Sequence, residues 1–509
     1  MDTVLIINFG GQYAHLISRR IRELNAFTEV IPYSKFSEEL VKDSVKAVIL
    51  SGGPASANEF SHELSRFSYL LKLGVPVLGI CFGHQLIAKL VGGEVRRGKG
   101  EFGRTFIEVV RDDPLFRGWG RREYVWMSHR DYVAKLPSGA EVLAISEQGY
   151  VAAFKVRDSL IYGVQFHPEV KHTPKGIKLL ENFLELAGVR RDWVPTNYLS
   201  RIINEVRERV EPGAKVLAAV SGGVDSTVAA LLVKKALGSD RLVAVLVDHG
   251  LFREGEVEEV LSNLRRVGIE PLLINARDRF LSRLWGVRDC EERRRVIGEE
   301  FAKIFKEVAE SDPSIKYFLQ GTTYPDVIES GFEEGADRIK SHHNVAALPK
   351  WLGLKVLEPL KYLYKDEVRR LGELLGVPKE VIKRHPFPGP GLAVRVIGEF
   401  TPEKLEIVRR ASKILEEELR RAGIYEEVWQ AFAVVGDDRW VGVKGDSRAV
   451  GYVVTLRVVL SEDAMTADWA RLPYDLLDKV ARRITSELDN VTMVTYAITS
   501  KPPSTIEPC

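Results

Sequence analysis

Residues 215–226, with the sequence KVLAAVSGGVDS, decide how the middle of the chain folds. The apolar run 216–220 predicts a buried parallel strand that ends at Ser221-Gly222-Gly223. Residues 227–237 are mostly apolar and contain neither Gly nor Pro, which predicts a helix buried against a sheet. A strand, a glycine-rich turn and a helix start in this order form an anion site, because backbone N–H groups point outward and the helix dipole favours negative charge.

The turn carries groups suited to a phosphate. Gly222 and Gly223 allow the backbone to approach a ligand closely, and Ser221, Ser226 and Thr227 add hydroxyl donors. The motif G-x-x-x-x-G-K-S/T is absent at this turn, so no P-loop lysine is available for a β- or γ-phosphate. A tight turn in an ordinary α/β domain is the alternative interpretation, but the whole hexapeptide is more specific than a bare Ser-Gly-Gly.

This hexapeptide resembles the pyrophosphate loop of the N-type ATP pyrophosphatases. Those enzymes cleave ATP between the α- and β-phosphates and transfer AMP onto an oxygen that is then displaced. The resemblance implies that the loop binds ATP, that the following strand adds an adenine contact, and that Asp225 is the natural protein ligand of the Mg²⁺ that accompanies ATP. The implied ATP-binding residues are Ser221, Gly222, Gly223, Val224, Asp225, Ser226, Thr227 and Val247.

Length and composition indicate a soluble multidomain protein. The 509 residues are too many for one core and predict two to four domains, and 45% hydrophobic with 28% charged residues is typical of globular chains. Lys and Arg total 73 against 71 Asp and Glu, which argues against a dedicated nucleic-acid binder. Three cysteines, Cys81, Cys290 and Cys509, are too few for a disulfide framework and suit a reducing compartment. Without a basic n-region or an apolar stretch of 18 residues, we expect a cytoplasmic protein without a membrane span.

Strands and helices alternate in residues 1–192. Apolar runs at 4–8, 45–50 and 75–80 predict strands, and the residues after the first run predict a helix over about 12–24. This alternation predicts a parallel sheet that binds ligands at the carboxyl ends of its strands.

Cys81 follows the third of these runs in the pattern G-x-C-x-G. The pattern has the form of a nucleophile elbow with cysteine in place of serine, and the helix start behind it can stabilise a thiolate. His167 ends a short strand and can serve as the base, with Glu169 orienting its imidazole. Taken singly, such a cysteine is often a small buried residue, and His or Glu is often a surface residue. The candidate oxyanion donors are the backbone N–H groups of Gly52, Gly53 and Phe82.

Three motifs in order, G-G-P, G-I-C-F-G-H-Q and G-V-Q-F-H-P-E, resemble those of the class I glutamine amidotransferases. The resemblance covers the whole segment. It implies that Cys81, His167 and Glu169 form a triad that hydrolyses glutamine through a γ-glutamyl thioester and releases ammonia. His84 lies beside the nucleophile but matches no triad position, so we interpret it as structural.

Three consecutive arginines, 293–295, precede Val296-Ile297-Gly298. A charge run of this kind is usually a solvated helix face, and we expect that for two of the three. The run resembles a basic triplet of the GMP synthetase family, which lies on a flexible segment and whose middle arginine contacts the acceptor nucleotide. The resemblance implies that Arg294 binds XMP.

The adjacent histidines His342 and His343 lack the ligand spacing of a zinc site, so we expect no structural metal there.

Residues 384–395 contain three prolines and two glycines, which fix an extended, irregular path. By composition alone this segment is an interdomain linker. It resembles the H-P-F-P-G-P-G-L signature with which the dimerisation domain of the GMP synthetase family begins. Beyond it, a helix over 403–422 and strands over 450–460 and 492–498 predict an α+β domain.

Asp446 and the tail residues Lys501, Ile506 and Glu507 match family positions that touch the substrate. Lys501 offers a cation suited to a nucleotide phosphate, and Glu507 can accept hydrogen bonds from purine ring N–H groups. A disordered chain end is the alternative interpretation of the tail. Where the family usually has a Trp and an acidic residue after the Glu, this chain has Pro508-Cys509.

Together the resemblances imply an α/β protein with two parallel-sheet modules and a smaller α+β domain: an amidotransferase domain (1–192), an ATP pyrophosphatase domain (193–384) and a dimerisation and XMP-binding domain (385–509). The implied reaction is that of the GMP synthetase family: glutamine-dependent synthesis of GMP from XMP, with ATP cleaved to AMP and diphosphate. We expect Mg²⁺ with ATP, no tightly bound organic cofactor, a homodimer, and neither nucleic acid nor membrane as a partner.

Lys361 and Lys365 either reach phosphate or are solvated. The alternatives are another glutamine-dependent ligase with the same loop, such as NAD synthetase, and a catalytically silent scaffold.

Overall fold

The computed structural model describes residues 1–11, 13–62, 64–72, 74–331, 353–461 and 466–509. Two compact units divide the chain: Met1–Tyr198 with Pro325–Ala336, and Leu199–Tyr324 with Asp337–Cys509. The predicted domain boundaries after residues 192 and 384 stay predictions. His342 and His343 lie outside the described residues.

The described part of the chain forms strands and helices in a largely alternating order. The strands are β1 (Thr3–Asn8), β2 (Phe27–Pro32), β3 (Val45–Leu50), β4 (Val77–Ile80), β5 (Glu94–Val109), β6 (Arg122–Lys135), β7 (Ala140–Ser146), β8 (Val151–Val156), β9 (Ile161–Val164), β10 (Lys215–Ala219), β11 (Leu242–Asp248), β12 (Leu272–Asn275), β13 (Ile315–Leu319), β14 (Lys355–Leu357), β15 (Gln430–Lys444), β16 (Ser447–Leu460), β17 (Asp468–Trp469) and β18 (Val491–Tyr496). The α-helices are α1 (Ala14–Glu23), α2 (Leu64–Phe67), α3 (Phe82–Leu90), α4 (Gly176–Leu186), α5 (Pro195–Arg209), α6 (Val224–Leu237), α7 (Glu256–Arg266), α8 (Arg277–Leu284), α9 (Cys290–Ser311), α10 (Tyr324–Gly331), α11 (Lys365–Leu374), α12 (Lys379–Ile382), α13 (Pro402–Arg421) and α14 (Tyr474–Glu487).

The first unit is built on one nine-stranded sheet with the order β2-β1-β3-β4-β9-β8-β7-β5-β6. Strands β2, β1, β3, β4 and β9 pair in parallel, as the alternation of strands and helices predicted. The remaining strands extend this sheet with antiparallel pairs, which the sequence analysis did not foresee. The carboxyl ends of β3, β4 and β9 lie side by side, so the loops that follow them meet at one edge of the sheet.

The second unit contains a five-stranded parallel sheet with the order β12-β11-β10-β13-β14. Its central strand β10 has parallel partners on both sides. Helix α6 follows this strand and buries eight of its 14 residues, among them Val228, Leu232 and Val233, in agreement with the predicted buried helix. The glycine-rich turn therefore lies at the carboxyl end of the middle strand, where open α/β sheets bind ligands.

A smaller sheet completes the second unit. Strands β15 and β16 form a long antiparallel hairpin, β17 pairs antiparallel with β16, and β18 pairs parallel with β16. One continuous hydrophobic cluster includes Leu217 and Phe280 from the five-stranded half, Val435 and Leu456 from the smaller sheet, and Leu392 between them. The signature segment is therefore part of the core, and its interpretation as a plain linker is wrong. Across the described residues, we find no helix with the length and apolar character that a membrane span requires.

Candidate functional site

Cys81 lies at a sharp turn between β4 and α3. Its backbone has φ +54° and ψ −102°, a strained conformation for a residue with a side chain, and only 7% of the residue is exposed. The backbone N–H of Cys81 donates to the carbonyl oxygen of Val164 at 2.9 Å, which fixes the turn to the end of β9. A Cβ atom on Gly79 would lie 2.4 Å from the backbone of Gly83, and one on Gly83 would lie 2.4 Å from the carbonyl oxygen of Leu50. The turn thus requires both flanking glycines, as in a nucleophile elbow.

His167 and Glu169 follow β9 and form a buried pair. The imidazole Nδ1 lies 2.7 Å from Glu169 Oε1, and the two residues are 4% and 1% exposed. Backbone contacts hold the pair in place: the His167 N–H donates to the Trp126 carbonyl at 3.0 Å, and the Thr173 hydroxyl donates to the His167 carbonyl at 2.7 Å. Arg20 Nε donates to the Glu169 carbonyl at 3.0 Å. Glu169 can therefore orient the imidazole and stabilise its protonated form.

The structure brings this pair to Cys81. Burial disfavours a charged His167, but the charges of Glu169 and Cys81, together with hydrogen bonds to both side chains, raise the pKa of His167 well above 6.5. Gly52 lies against both groups, because a Cβ atom there would lie 3.2 Å from His167 Cε1 and 3.6 Å from Cys81 Cβ. Cysteine, histidine and carboxylate thus have the contacts of a nucleophile, a base and an orienting group.

The oxyanion assignment stays a prediction. Gly52 lies beside Cys81 and His167, while Gly53 packs so closely on Phe9 that a Cβ atom would lie 2.7 Å from the Phe9 carbonyl oxygen. Phe82 opens helix α3 directly after the nucleophile. His84, on the same helix, is fully buried and packs against Phe154, with the ring centroids 4.9 Å apart and the ring planes tilted by 56°. Burial lowers the pKa of His84 to about 3, as expected of a neutral packing residue.

The predicted phosphate loop, residues 221–227, connects β10 to α6. Gly222 has φ +74°, a conformation that favours glycine, and a Cβ atom there would lie 2.2 Å from Val260 Cγ2. The Ser226 and Thr227 hydroxyls donate to the Gly223 carbonyl at 3.1 and 2.9 Å, and the Ser221 and Ser226 hydroxyls lie 3.3 Å apart. The loop is a compact turn with several hydroxyls at the start of a 14-residue helix, which favours a bound anion.

Asp225 lies on the first turn of α6 and is paired with Lys365. Its Oδ2 contacts Lys365 Nζ, while its Oδ1 is buried and has no hydrogen-bond partner in the described part of the chain. The turn after β13 lies next to it, because a Cβ atom on Gly321 would be 3.4 Å from Asp225 Cβ. One unsatisfied carboxylate oxygen beside a phosphate loop fits an Mg²⁺ ion that takes its other ligands from phosphates and water. No cluster of three His, Cys, Asp or Glu residues suited to a metal occurs within the described ranges, so those residues alone supply no complete cage there.

Arg384 contacts the backbone of the phosphate loop and pairs with Glu256, and the sequence analysis identified neither residue. Arg384 Nη1 donates to the Gly222 carbonyl at 3.2 Å, and its Nη2 pairs with Glu256. The two side chains are 11% and 3% exposed. Val247 has its side chain in the hydrophobic cluster, so any adenine contact at this position would come from the backbone of β11.

The three arginines have three different environments on α9, which begins with Asp289 capping the Glu292 N–H at 2.8 Å. Arg293 is 1% exposed and donates to the carbonyls of Ala393 and Val396 at 2.7 and 2.6 Å. The prediction of a solvated face is therefore wrong for Arg293, because its guanidinium satisfies the backbone of the signature segment. Arg295 is exposed and pairs with Glu292 and Glu299. The structure also places the triplet within a regular helix instead of on a flexible segment.

Arg294 contacts the tail. Its side chain is 10% exposed, and Nη2 donates to the Cys509 carbonyl at 2.5 Å. Cys509 is joined to Cys290 by a disulfide, with the Cα atoms 6.0 Å apart. The cysteine count did not predict this single bond, and Cys81 is free.

Glu507 is held by two side chains that the sequence did not single out. Arg395 donates to its carboxylate from Nη2 at 2.9 Å and from Nε at 3.1 Å, and Gln430 Nε2 donates to Oε1 at 2.6 Å. Arg395 is buried against Phe432, with its guanidinium 4.2 Å from the ring centroid. The sequence does contain a signal for Arg395, since this residue interrupts an apolar run inside the signature segment.

The other tail residues are ordered as well. Lys501 pairs with Ala467 through two backbone hydrogen bonds of 2.7 and 3.1 Å, and Ile506 is half-buried. Asp446 is different: it is exposed, has φ +62°, and forms the turn between β15 and β16. Gln430, which contacts Glu507, lies at the opposite end of β15, and 15 strand residues span up to about 50 Å. The structure therefore brings Arg294 and the tail together but places Asp446 at the far end of the hairpin.

Comparisons with known proteins match three segments of the chain to families. The family described as glutamine amidotransferase class-I matches residues 5–187, that described as NAD synthase matches residues 197–286, and that described as GMP synthase C terminal domain matches residues 417–508. The NAD synthase match covers the phosphate loop but ends before the signature segment.

Curated relatives match over the whole length. A protein of Pyrobaculum aerophilum named GMP synthase (glutamine-hydrolyzing) is 58% identical, with 100% of both chains covered. Proteins with the same name are 50% identical in Symbiobacterium thermophilum and 53% identical in Thermus thermophilus, in each case with 99% of both chains covered.

Proposed function

The chain belongs to the family of glutamine-hydrolysing GMP synthases, and from this we propose how its own residues divide the work of the reaction. The overall reaction converts XMP, ATP, L-glutamine and water into GMP, AMP, diphosphate and L-glutamate. The enzyme is a carbon–nitrogen ligase of purine biosynthesis with glutamine as the amido-nitrogen donor. The observation that carries this conclusion is the full-length match at 58% identity.

Glutamine hydrolysis takes place in the first unit. The Cys81 thiolate attacks the carboxamide carbon of glutamine, and the backbone N–H groups of Gly52, Gly53 and Phe82 are our proposed donors to the oxyanion. Protonated His167 transfers its proton to the leaving nitrogen, so ammonia departs and a γ-glutamyl thioester remains on Cys81. His167 then takes a proton from water, which attacks the thioester and releases glutamate.

ATP activation takes place at the loop 221–227 of the second unit. The purine O2 of XMP attacks the α-phosphorus of ATP, and diphosphate leaves while the loop's N–H groups and hydroxyls bind its oxygens. Mg²⁺, when bound through Asp225, would neutralise charge on the phosphates. Ammonia then attacks C2 and displaces AMP, which gives GMP. The adenylation step is needed because a purine oxygen is a poor leaving group and AMP is a good one.

The acceptor nucleotide is bound by α9 and the tail. We assign Arg294 and Lys501 to anionic groups of XMP, Ile506 to an apolar contact, and Glu507 to the purine ring N–H groups. Support comes from the convergence of Arg294 and the tail, and from the fixed orientation of the Glu507 carboxylate. Asp446 is assigned by the family resemblance alone, and from its position on the hairpin turn it would have to act in a second copy of the chain.

The partners and the location are proposals too. A homodimer is supported by the exposed apolar side chains of Trp440, Val441, Val443 and Val450 on the β15–β16 hairpin. Light scattering on the purified chain tests it, and a monomer at micromolar concentration would contradict it. We also propose a cytoplasmic location, where these nucleotides and glutamine are available, and no tightly bound organic cofactor.

The test of the function is an acceptor screen. Purified protein is incubated with ATP, Mg²⁺ and glutamine, and with either XMP or the deamido form of NAD, and the products are separated by chromatography. We expect GMP in the reaction with XMP and no amidated product in the reaction with the deamido form of NAD. Formation of NAD from its deamido form would favour the NAD synthase alternative. The specific observation behind that alternative is the family match at residues 197–286.

A further inference from the structure

The Cys290–Cys509 disulfide joins the tail to the helix that carries Arg294. Cys290 is the first residue of α9, and 219 positions separate the two cysteines. Residues four apart on a helix lie on one face, so Cys290 and Arg294 point to the same side of α9. The Cys509 carbonyl accepts the hydrogen bond from Arg294 on this side. One residue at the end of the tail thus makes both a covalent and a polar contact with the acceptor-binding face of α9.

The other anchors of the tail are non-covalent and lie on different elements. Arg395 and Gln430 hold Glu507, Arg457 Nη2 donates to the Thr505 carbonyl at 3.0 Å, and Lys501 pairs with Ala467. Glu507 lies only two residues before Cys509. The disulfide therefore connects α9 to a segment already fixed on the smaller sheet, and it limits how far residues 506–509 can move away from Arg294.

We propose that this disulfide is a strap that keeps the tail closed over the acceptor-nucleotide site, so that affinity for XMP depends on the redox state of Cys290 and Cys509. The proposal rests on the proposed XMP site. With the disulfide intact, the tail stays in the binding-competent position. With both thiols reduced, the tail opens for part of the time, and the apparent affinity falls in proportion to the competent fraction.

The chemistry is an ordinary thiol–disulfide exchange with a dithiol. One thiolate of the dithiol attacks a sulfur of the Cys290–Cys509 bond, and a mixed disulfide forms while one protein thiolate leaves. The second thiolate of the dithiol then displaces the other protein sulfur. Two protein thiols and one oxidised dithiol result, so the protein gains two electrons and two protons. Closure is the reverse reaction with a disulfide such as oxidised glutathione.

The experiment separates redox state from catalysis at Cys81. Ammonium chloride serves as the nitrogen source, so the glutamine-hydrolysing triad is not needed. Protein exposed to oxidised glutathione is compared with protein treated with dithiothreitol, and alkylation under denaturing conditions should label one of the three cysteines in the first sample and all three in the second. Three labelled cysteines in the oxidised sample would overturn the proposal.

Kinetics give the functional result. Reduction should raise the KM for XMP about three- to tenfold, with kcat at saturating XMP and the KM for ATP changed by less than about twofold. Cys290→Ser and Cys509→Ser should resemble the reduced protein and lose their response to dithiothreitol. Equal KM values for XMP in the oxidised sample, with one thiol, and the reduced sample, with three thiols, would overturn the proposal.

Hydrogen exchange provides a readout that does not need turnover. Backbone amides of residues 504–509 should exchange faster in the reduced protein, while those of β10 should not change. Equal exchange in both redox states would also overturn the strap. If no GMP forms from XMP in either state, the proposed function fails, but the exchange result still decides whether the tail is held.

Discussion

The guanidinium of Arg395 and the carboxylate of Glu507 form a two-point ion pair, with Nη2–Oε1 at 2.9 Å and Nε–Oε2 at 3.1 Å. Arg395 is 2% exposed, and Gln430 adds a third hydrogen bond to Oε1. A carboxylate has about four acceptor positions and three are used here, so about one position, on Oε2, remains for a ligand. Glu507 therefore presents a negative charge in one fixed orientation, which is the requirement for selecting a base by its ring N–H groups.

Glu507→Gln should weaken the use of XMP. The amide keeps the volume but loses the charge, and a hydrogen bond to a charged group contributes about 1.5–3 kcal/mol, so the KM for XMP should rise roughly ten- to a hundredfold. Arg294→Ala and Lys501→Ala should have effects of similar size. The KM for ATP should barely change, since the phosphate loop lies on β10 and α6. Steady-state kinetics with ammonium as nitrogen source measure both.

The matched control for Glu507→Gln is Glu426→Gln, which alters an exposed glutamate paired with Lys383 at the surface. It should leave both KM values within about twofold, because exposed ion pairs contribute little. An unchanged KM for XMP in Glu507→Gln would mean that the charge of this carboxylate contributes nothing to acceptor binding.

Much of the fold could be predicted because it depends on local patterns. The apolar run before Ser221 and the helix after it are visible in the sequence, and the structure has them as β10 and α6. The antiparallel strands β5–β8 were missed. Their alternation is weak, since β5 mixes buried and exposed residues without strict period, and their pairing depends on distant segments.

In the candidate sites too, residues in local motifs could be predicted, and residues that act through contacts with distant segments could not. Cys81, His167 and the phosphate loop belong to short motifs, whereas Arg384, Arg395 and Gln430 act on residues 77–162 positions away. Arg293 shows the physical limit most clearly. An arginine next to two others indicates a solvated face, and only the tertiary structure supplies the carbonyls of Ala393 and Val396 that satisfy it in the core.

Cys81→Ala should abolish glutamine-dependent GMP synthesis and spare synthesis from ammonium chloride. The nucleophile belongs to the first unit, while the phosphate loop and the tail belong to the second. Parallel assays with the two nitrogen sources measure this, and circular dichroism checks the fold. Loss of both activities in a folded variant would contradict the separation of the two chemistries.

Glu169→Gln should narrow the pH range of glutamine hydrolysis. Although burial works against it, Glu169 and Cys81 raise the pKa of His167 well above 6.5, and the proposed proton transfer needs the protonated imidazole. Without the carboxylate, the pKa of His167 falls, so the alkaline limb of the kcat/KM profile should move to lower pH. An unshifted limb would show that another group controls it.

The raised pKa of His167 also makes the stability of the folded protein depend on pH. Because the pKa of His167 is raised in the folded state, its contribution is fully present below pH 6.5 and is lost as pH rises through the folded pKa. The difference in melting temperature between the wild type and Glu169→Gln should therefore be largest near pH 6 and shrink in alkaline buffer. Glu185→Gln, at an exposed position of the same unit, should show no such trend.

Removal of Mg²⁺ should stop ATP cleavage but not glutamine hydrolysis. Asp225→Asn should raise the Mg²⁺ concentration needed for half-maximal synthesis and lower turnover, because its Oδ1 is the proposed ligand. Titration of Mg²⁺ with chromatographic measurement of AMP and ADP tests this, and the products should be AMP and diphosphate. Stoichiometric ADP would falsify the pyrophosphatase assignment.

Gly222→Ala and Gly223→Ala should differ although the two glycines are neighbours. Gly222 has φ +74°, and a Cβ atom there would lie 2.2 Å from Val260 Cγ2, whereas the nearest atom to a Cβ on Gly223 is Ser221 Oγ at 3.5 Å, an ordinary contact. Strain and overpacking at the first position should cost about 1–3 kcal/mol and displace the loop from the Arg384 hydrogen bond. Gly222→Ala should therefore lose most ATP-dependent activity and melt at a lower temperature than the wild type. Gly223→Ala should keep the wild-type melting temperature, and its activity should fall only as far as the added methyl group obstructs the phosphate. Thermal melts and ATP kinetics of the two variants decide the matter, since equal melting temperatures would show that the left-handed turn at Gly222 tolerates a side chain.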